Sequence, residues 1–161
     1  MMRVGHGFDA HPLIEGRPLI LGGVTVPFQR GALGHSDADV LAHAISDALL
    51  GAAAIGDLGG RFPDSDIRWE GADSMELLAL CAAEIRVAGY TIGNVDATIV
   101  VDRPKLSSYV AQMRENVAAR LGLDAGAVSI KAKSSEGLGY TGDGTGIVAY
   151  AVALIVAETV A

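Results

Sequence analysis

The chain has 161 residues, half of them apolar, with a net charge of −7. That length suffices for one domain with a real core. No run approaches the ~20 uncharged apolar residues of a membrane span, and MMRVGHGFD lacks the apolar segment of a signal peptide. A single cytoplasmic domain over residues 1–161 is therefore expected, with neither nucleic acid nor membrane as partner.

Residues 2–9 and 18–26 read as short strands, the second interrupted by a turn or bulge at Gly22-Gly23. Residues 38–55 have helical composition, with Ser36 or Asp37 as N-cap. GDLGGRFPDSD, rich in Gly, Pro and Asp, is a loop. Residues 73–88 form a second helix, opened by the DSME cap pattern at Asp73 or Ser74 and closed by Gly89. Cys81 lies within it and reads as an inert core thiol; a lone cysteine excludes an internal disulfide framework and fits a reducing compartment. A strand follows over 91–102, then a third helix from Pro104 to about Leu121 with Gly122 as its stop. Residues 127–134 alternate like a half-buried strand with Lys131 and Lys133 on one face. A Gly-rich loop at 137–146 leads into a last strand, IVAYAVALIVAET, favoured by its β-branched content. Strands alternating with about three helices predict a two-layer α/β (α+β) sandwich with a mixed sheet.

Asp9 and His11, two positions apart on a strand, point to one face. Asp39, His43 and Asp47 share one face of the first helix at i, i+4 and i+8. A lone histidine among Ala, Leu and Ile is more often a core residue bonded to a carbonyl. Strand and helix are neighbours in any compact sandwich, however, so Asp9, His11 and His43 can converge. Three N/O ligands with one open position describe a catalytic Zn²⁺ site. In KAKSSE, Lys131, Lys133, Ser134, Ser135 and Glu136 suit phosphate oxygens and Mg²⁺, or simply a solvated strand face. GLGYTG at 137–142 matches G-x-G-x-x-G, but the 19 residues after Gly142 cannot complete a βαβ unit, so a dinucleotide site is rejected. The loop still suits close approach of backbone N–H groups to an anion.

Taken together, GHGFDAHPL, GALGHSDADVLAHAISDALLGAAAIGDLG, RFPDSD, GYTIGNVDATIV, RPKL and KAKSSEGLGYTG run in order through nearly the whole chain. They resemble the 2-C-methyl-D-erythritol 2,4-cyclodiphosphate synthase family of non-mevalonate isoprenoid biosynthesis. The resemblance implies a homotrimer with active sites at the subunit interfaces. It also implies conversion of 4-diphosphocytidyl-2-C-methyl-D-erythritol 2-phosphate into the 2,4-cyclodiphosphate and CMP. Carried over by position, Asp9, His11 and His43 would bind one Zn²⁺ per subunit, and Glu136 would bind Mg²⁺ or Mn²⁺ beside the substrate's phosphates. His35 and Ser134 would stabilise the transition state, and His35 with Ser36 would form a loop near the reacting phosphates. Asp57, Leu58 and Gly59, with Phe62, Pro63, Asp64, Ser65 and Asp66, would hold the methylerythritol unit. Val101, Asp102, Arg103, Pro104, Lys105, Leu106 and Ser107, with Ala132 and Lys133, would form the cytidine and phosphate pocket of the adjoining subunit. Ala10, Ser135, Tyr140 and Asp143 complete the implied substrate-binding set. Two rival readings keep the same metal ligands: a Zn²⁺-dependent hydrolase with Asp39 or Glu136 as general base, and a metal-stabilised trimeric binding module without turnover.

One stretch departs from the family pattern. Many members read T-G-R-x-E-G where this chain has TGDGTG, placing Asp143 at the arginine position and Thr145 at the glutamate position. In the family those charges line the trimer's central cavity and help bind isoprenoid diphosphates. An aspartate there repels a diphosphate. Farnesyl diphosphate is therefore expected to leave the melting temperature unchanged in thermal unfolding, and a clear upward shift would contradict this reading.

Overall fold

A computed structural model describes residues 1–158. Its strands are β1 (Met2–Glu15), β2 (Leu19–Leu21), β3 (Val24–Val26), β4 (Arg30–Ala32), β5 (Tyr90–Val100), β6 (Val128–Lys133) and β7 (Gly146–Ala157). Its helices are α1 (Val40–Ala53), the single-turn α2 (Leu58–Arg61), α3 (Ser74–Val87), α4 (Val110–Leu121) and the single-turn α5 (Gly139–Gly142). Five strands form a mixed sheet in the order β4-β1-β7-β5-β6, with β5 and β6 parallel and the other neighbours antiparallel. The three long helices cover one face, so the expected two-layer architecture is borne out. No helix among the described residues is long and apolar enough to cross a membrane.

Alternation along the strands decides what faces the helices. On β1, Gly5, Gly7, Asp9 and His11 share the covered face, and their partners on β7 are Ala153, Ala151, Ala149 and Ile147. Small residues on both strands let α1 approach closely. A Cβ at Gly5 would lie 1.9 Å from the Ala48 carbonyl oxygen, and one at Gly7 would lie 1.9 Å from that of Ala44. The apolar stripe of α1 (Leu41, Ile45, Leu49) is fully buried beside Ile99, Ile147 and Ile155 of the sheet. The opposite face carries Val4, Phe8, Tyr150 and Val152, all exposed.

Several boundaries differ from the sequence expectations. Strand β1 runs on to Glu15, because its ladder to β7 continues through Pro12↔Gly146 and Leu13 to Glu15 pair with β4. Residues 18–26 do form the expected strands, β2 and β3, and the turn expected at Gly22-Gly23 closes them into a hairpin with φ 55° and 70°. Positive φ at both central positions matches the twist of the flanking strands and suits glycine. Strand β4 has only three residues and gave no periodic signal. The cap of α1 is Asp39, not Ser36 or Asp37: Asp39 Oδ1 accepts the Leu41 and Ala42 N–H groups at 3.1 Å. Ala38, at φ 57°, breaks the helical path just before it. The third long helix starts at Val110 rather than near Pro104, which follows a cis peptide bond. Tertiary anchors override the local proline signal there, since Leu106 is buried and Asp102 is tied to the loop after β6. Thr159, expected at the end of the last strand, lies outside the described residues.

A methyl group at Gly7 must push α1 off the sheet. Gly7→Ala is expected to cost about 3 kcal/mol or more, the upper range for overpacking a dense core. Urea unfolding measures this, and a loss below about 0.5 kcal/mol would show that the helix has room to move.

Candidate active site and metal centre

Close packing of α1 on β1 brings His43 down onto Asp9 and His11. His11 Nε2 is 2.9 Å and His43 Nδ1 is 3.0 Å from Asp9 Oδ2, and the two ring nitrogens are 3.4 Å apart. One donor atom from each residue lies within 4.8 Å of the others, and this group forms the candidate metal site among the described residues. Burial pushes the Asp9 carboxyl up, but hydrogen bonds and charge from His11 and His43 outweigh it and hold the group down at about 2. Burial alone would lower the His43 pKa, whereas the Asp9 carboxylate beside it raises it above the ordinary value.

The triad lines a cavity of about 380 Å³ walled also by Leu33, Gly34, His35, Ser36, Asp47, Leu58, Gly59, Phe62, Asp64, Trp69 and Leu77. His35 Nε2 is buried there without a hydrogen-bond partner among the described residues. Arg17 holds the preceding backbone, donating to the Gly34 and Ser36 carbonyls at 3.3 and 3.0 Å. Phe62 and Trp69 meet edge to face at 4.9 Å and form an aromatic wall. Among the described residues, three carboxylates, Asp9, Asp47 and Asp64, and no lysine or arginine line this space. A phosphorylated ligand can enter it only with added positive charge. Two imidazole nitrogens and a carboxylate oxygen are the donor set that zinc prefers, so the residues present fit that ion.

The two other acids on the His43 face of α1 do different work. Asp39 is fully buried and receives N–H groups from Gly23, at 2.9 Å, and from the first turn of α1. Burial pushes its carboxyl up to about 6 against the pull of those N–H groups. Asp47 accepts the Leu58 N–H at 2.7 Å and so docks α2 at the rim of the cavity. His43 Nε2 instead meets Ser74 Oγ at 2.8 Å, a contact that sequence reasoning missed. DSME is a local cap pattern and carries no long-range signal. Trp69, Leu33 and Leu77 also gave no periodic or motif clue.

The remaining predicted residues fall into separate groups. Asp57 caps α2 through the Gly60 N–H. Pro63 and Ser65 lie in the loop outside the cavity lining, and Asp66 pairs with Arg68. Asp102 gathers the loop after β6: Oδ1 accepts the Ser135 N–H at 2.7 Å and the Ser134 hydroxyl at 2.9 Å, and Oδ2 accepts the Gly137 N–H at 2.8 Å. The Ser135 N–H leads these bonds in holding the Asp102 carboxyl down at about 2. Within this loop Glu136 takes φ 55°, an unusual conformation for a non-glycine residue. Tyr140 and Ala10 line a smaller cavity beside His11, and Arg103 and Asp143 line another. Within one chain, none of Ala132, Lys133, Ser134, Ser135 and Glu136 reaches the triad's cavity. The same holds for Val101 to Ser107. Cys81 is buried, and burial pushes its thiol up to about 11, as an inert core thiol requires.

The family model described as YgbB family matches residues 2–156. The chain belongs to the YgbB family. It is 57% identical over 159 residues to the 2-C-methyl-D-erythritol 2,4-cyclodiphosphate synthase of Burkholderia thailandensis, covering 99% of this chain and 98% of the relative. A solved 2C-methyl-D-erythritol-2,4-cyclodiphosphate synthase in its CDP-bound form superposes with a TM-score of 0.88 at 36% identity, covering 96% of this chain and all of that one. The bifunctional IspDF of Campylobacter jejuni superposes with a TM-score of 0.93 at 38% identity, covering 96% of this chain and 42% of that longer one. The family resemblance read from the sequence motifs is borne out.

The lowered Asp9 pKa has a consequence for the metal-free chain. A carboxyl whose folded pKa is depressed adds stability above its ordinary value of 3.8, and loses it as pH falls through about 2. The shift corresponds to about 2 kcal/mol. Asp9→Asn in metal-free protein is expected to be less stable by about that amount at pH 6, with the difference vanishing between pH 4 and 2 in urea unfolding. Parallel curves for the two proteins over that window would show that the pairing contributes nothing.

Proposed function

We propose that the chain is a 2-C-methyl-D-erythritol 2,4-cyclodiphosphate synthase that converts 4-diphosphocytidyl-2-C-methyl-D-erythritol 2-phosphate to the cyclodiphosphate and CMP. The observation that carries this is the convergence of Asp9, His11 and His43 on the wall of a cavity that also holds an unpartnered His35 nitrogen. In the reaction, an oxygen of the substrate's 2-phosphate forms a bond to the β-phosphorus. The bond from that phosphorus to the oxygen bridging it to the α-phosphate breaks, and CMP leaves with that oxygen and its electron pair. No protein nucleophile is needed, and Cys81 sits buried away as an inert thiol.

The protein's task is then positioning and charge neutralisation. Asp9, His11 and His43 would hold zinc, and Glu136 would hold magnesium or manganese arriving with the substrate. When bound, these ions supply Lewis-acid polarisation of the attacked phosphoryl group and offset the charge on departing CMP. His35 offers its free nitrogen to a phosphoryl oxygen, and the backbone around Ser36 is clamped beside it by Arg17. Ser134 serves the same transition state from the adjoining subunit. Phe62, Trp69 and Leu33 wall the cavity against water, which would otherwise hydrolyse the diphosphate. Leu58, Gly59 and Asp64 lie where the methylerythritol unit would bind, next to Asp57, Pro63, Ser65 and Asp66.

A homotrimer with interfacial sites accounts for the residues that one chain leaves apart. Residues 101–107 and 132–136, with Tyr140 and Asp143, would form the nucleotide half of the pocket for a neighbour's triad. The exposed apolar face of the sheet supports association, because Val4 and Phe8 on β1 lie beside Tyr150 and Val152 on β7 at exposures of 42–67%. We also propose one domain over residues 1–161, acting in the cytoplasm, where a buried reduced cysteine fits.

Purified protein is expected to carry about one zinc per chain and to release CMP together with cyclic product in the presence of Mg²⁺. His43→Ala is expected to lose the zinc and to lower turnover by about 10³-fold or more. Hydrolysed diphosphate without cyclic product would establish the hydrolase instead. Zinc-dependent stability with no CMP released by the wild type would establish the binding module.

A further inference from the structure

We propose that Ser74 and Asp37 are positioning residues that set the tautomer and orientation of His43, and that they tie this metal ligand to the loop bearing His35. The proposal rests on the metal-site reading above. Ser74 is the first residue of α3 and is fully buried. Its Oγ lies 2.8 Å from His43 Nε2 and also contacts Asp37 Oδ1. A hydroxyl has one proton to give, and a carboxylate can only accept. Ser74 therefore donates to Asp37 and accepts from His43, which requires the imidazole proton on Nε2. The lone pair is left on Nδ1, the nitrogen that faces Asp9 Oδ2 at 3.0 Å and His11 Nε2 at 3.4 Å. Ser36 Oγ, 3.2 Å from the same Nε2, accepts the Ala38 N–H and adds a second oxygen on that side.

The carboxylate at the end of this chain does more than polarise the imidazole. Asp37 Oδ2 accepts the Ser74 N–H at 3.1 Å, and its own N–H donates to the Ala72 carbonyl at 3.1 Å. The adjacent Gly71 N–H reaches the His35 carbonyl at 2.9 Å. One aspartate thus stitches the His35 loop to the start of α3 and, through Ser74, to the metal ligand. A hydrogen-bonded acid behind a ligating histidine raises its basicity and fixes its ring. Asp39 and Asp47 share the His43 face of α1 but make their bonds to backbone N–H groups elsewhere.

The test uses the full chain and zinc itself. Wild type and Ser74→Ala are compared by zinc competition against a chromophoric chelator and by the visible spectrum of the Co²⁺-substituted protein. Ser74→Ala is expected to bind zinc about 10- to 100-fold more weakly, with an altered Co²⁺ spectrum that loss of folding stability alone would not produce. Asp37→Asn is expected to weaken zinc in the same direction. Should Ser74→Ala fail to fold, ¹⁵N NMR of zinc-loaded wild type decides: a proton on His43 Nε2 with metal on Nδ1 supports the proposal, and the reverse arrangement overturns it. A Ser74→Ala protein with zinc affinity within about twofold of wild type and an identical Co²⁺ spectrum overturns the proposal alone. A wild type that takes up no zinc overturns the metal-site reading, and the proposal with it.

Discussion

Helix α1 lies on strand β1 with no side chain between the two backbones at Gly5 and Gly7, and the site depends on that contact. The helix rests its Ala44 and Ala48 carbonyls against the strand, so the space that any other residue would need is already filled. His43 is one residue before Ala44, and Asp9 is two residues beyond Gly7 on the same face of the strand. The two functional positions are therefore adjacent to the two packing positions, and the separation of His43 from Asp9 follows from the helix–sheet distance. Dense packing of this kind resists deformation, which is what a site built from two different elements needs.

The charge balance of the cavity follows from that geometry. Among the described residues, three carboxylates face a space with three histidines and no lysine or arginine. Asp9 Oδ2 lies 2.9 Å from His11 Nε2 and 3.0 Å from His43 Nδ1, so one carboxylate oxygen gathers both imidazoles. Opposed pKa shifts, with Asp9 down and His43 up, are the electrostatic trace of the same arrangement. Behind His43, Ser74 and Asp37 continue the pattern away from the cavity, so the imidazole is held from both ends of its ring.

Glu136 and Asp102 show a second principle. Asp102 accepts bonds from Ser134, Ser135 and Gly137, the Glu136 N–H donates to Ser134 Oγ, and these bonds hold a loop in which Glu136 takes a left-handed backbone. The loop is preorganised yet opens away from its own chain's triad.

The chain by itself determined the types of the long strands and helices, the alternation that puts Asp9 and His11 on one face, and the family. Period and turn chemistry are properties of neighbouring residues, and long motifs with unusual polar residues leave little ambiguity. Only the tertiary structure decided that Asp39 caps α1 and that Ser74 stands behind His43. It alone also placed Trp69 on the cavity wall and started the third long helix at Val110 instead of near Pro104. Each of these is a contact between residues distant in sequence, or an anchor that overrides a local preference. Ser36, Asp37 and Asp39 are equally good caps by composition. Ala38's backbone and the bonds that already occupy Ser36 and Asp37 chose among them, and neither is written in any short window of sequence.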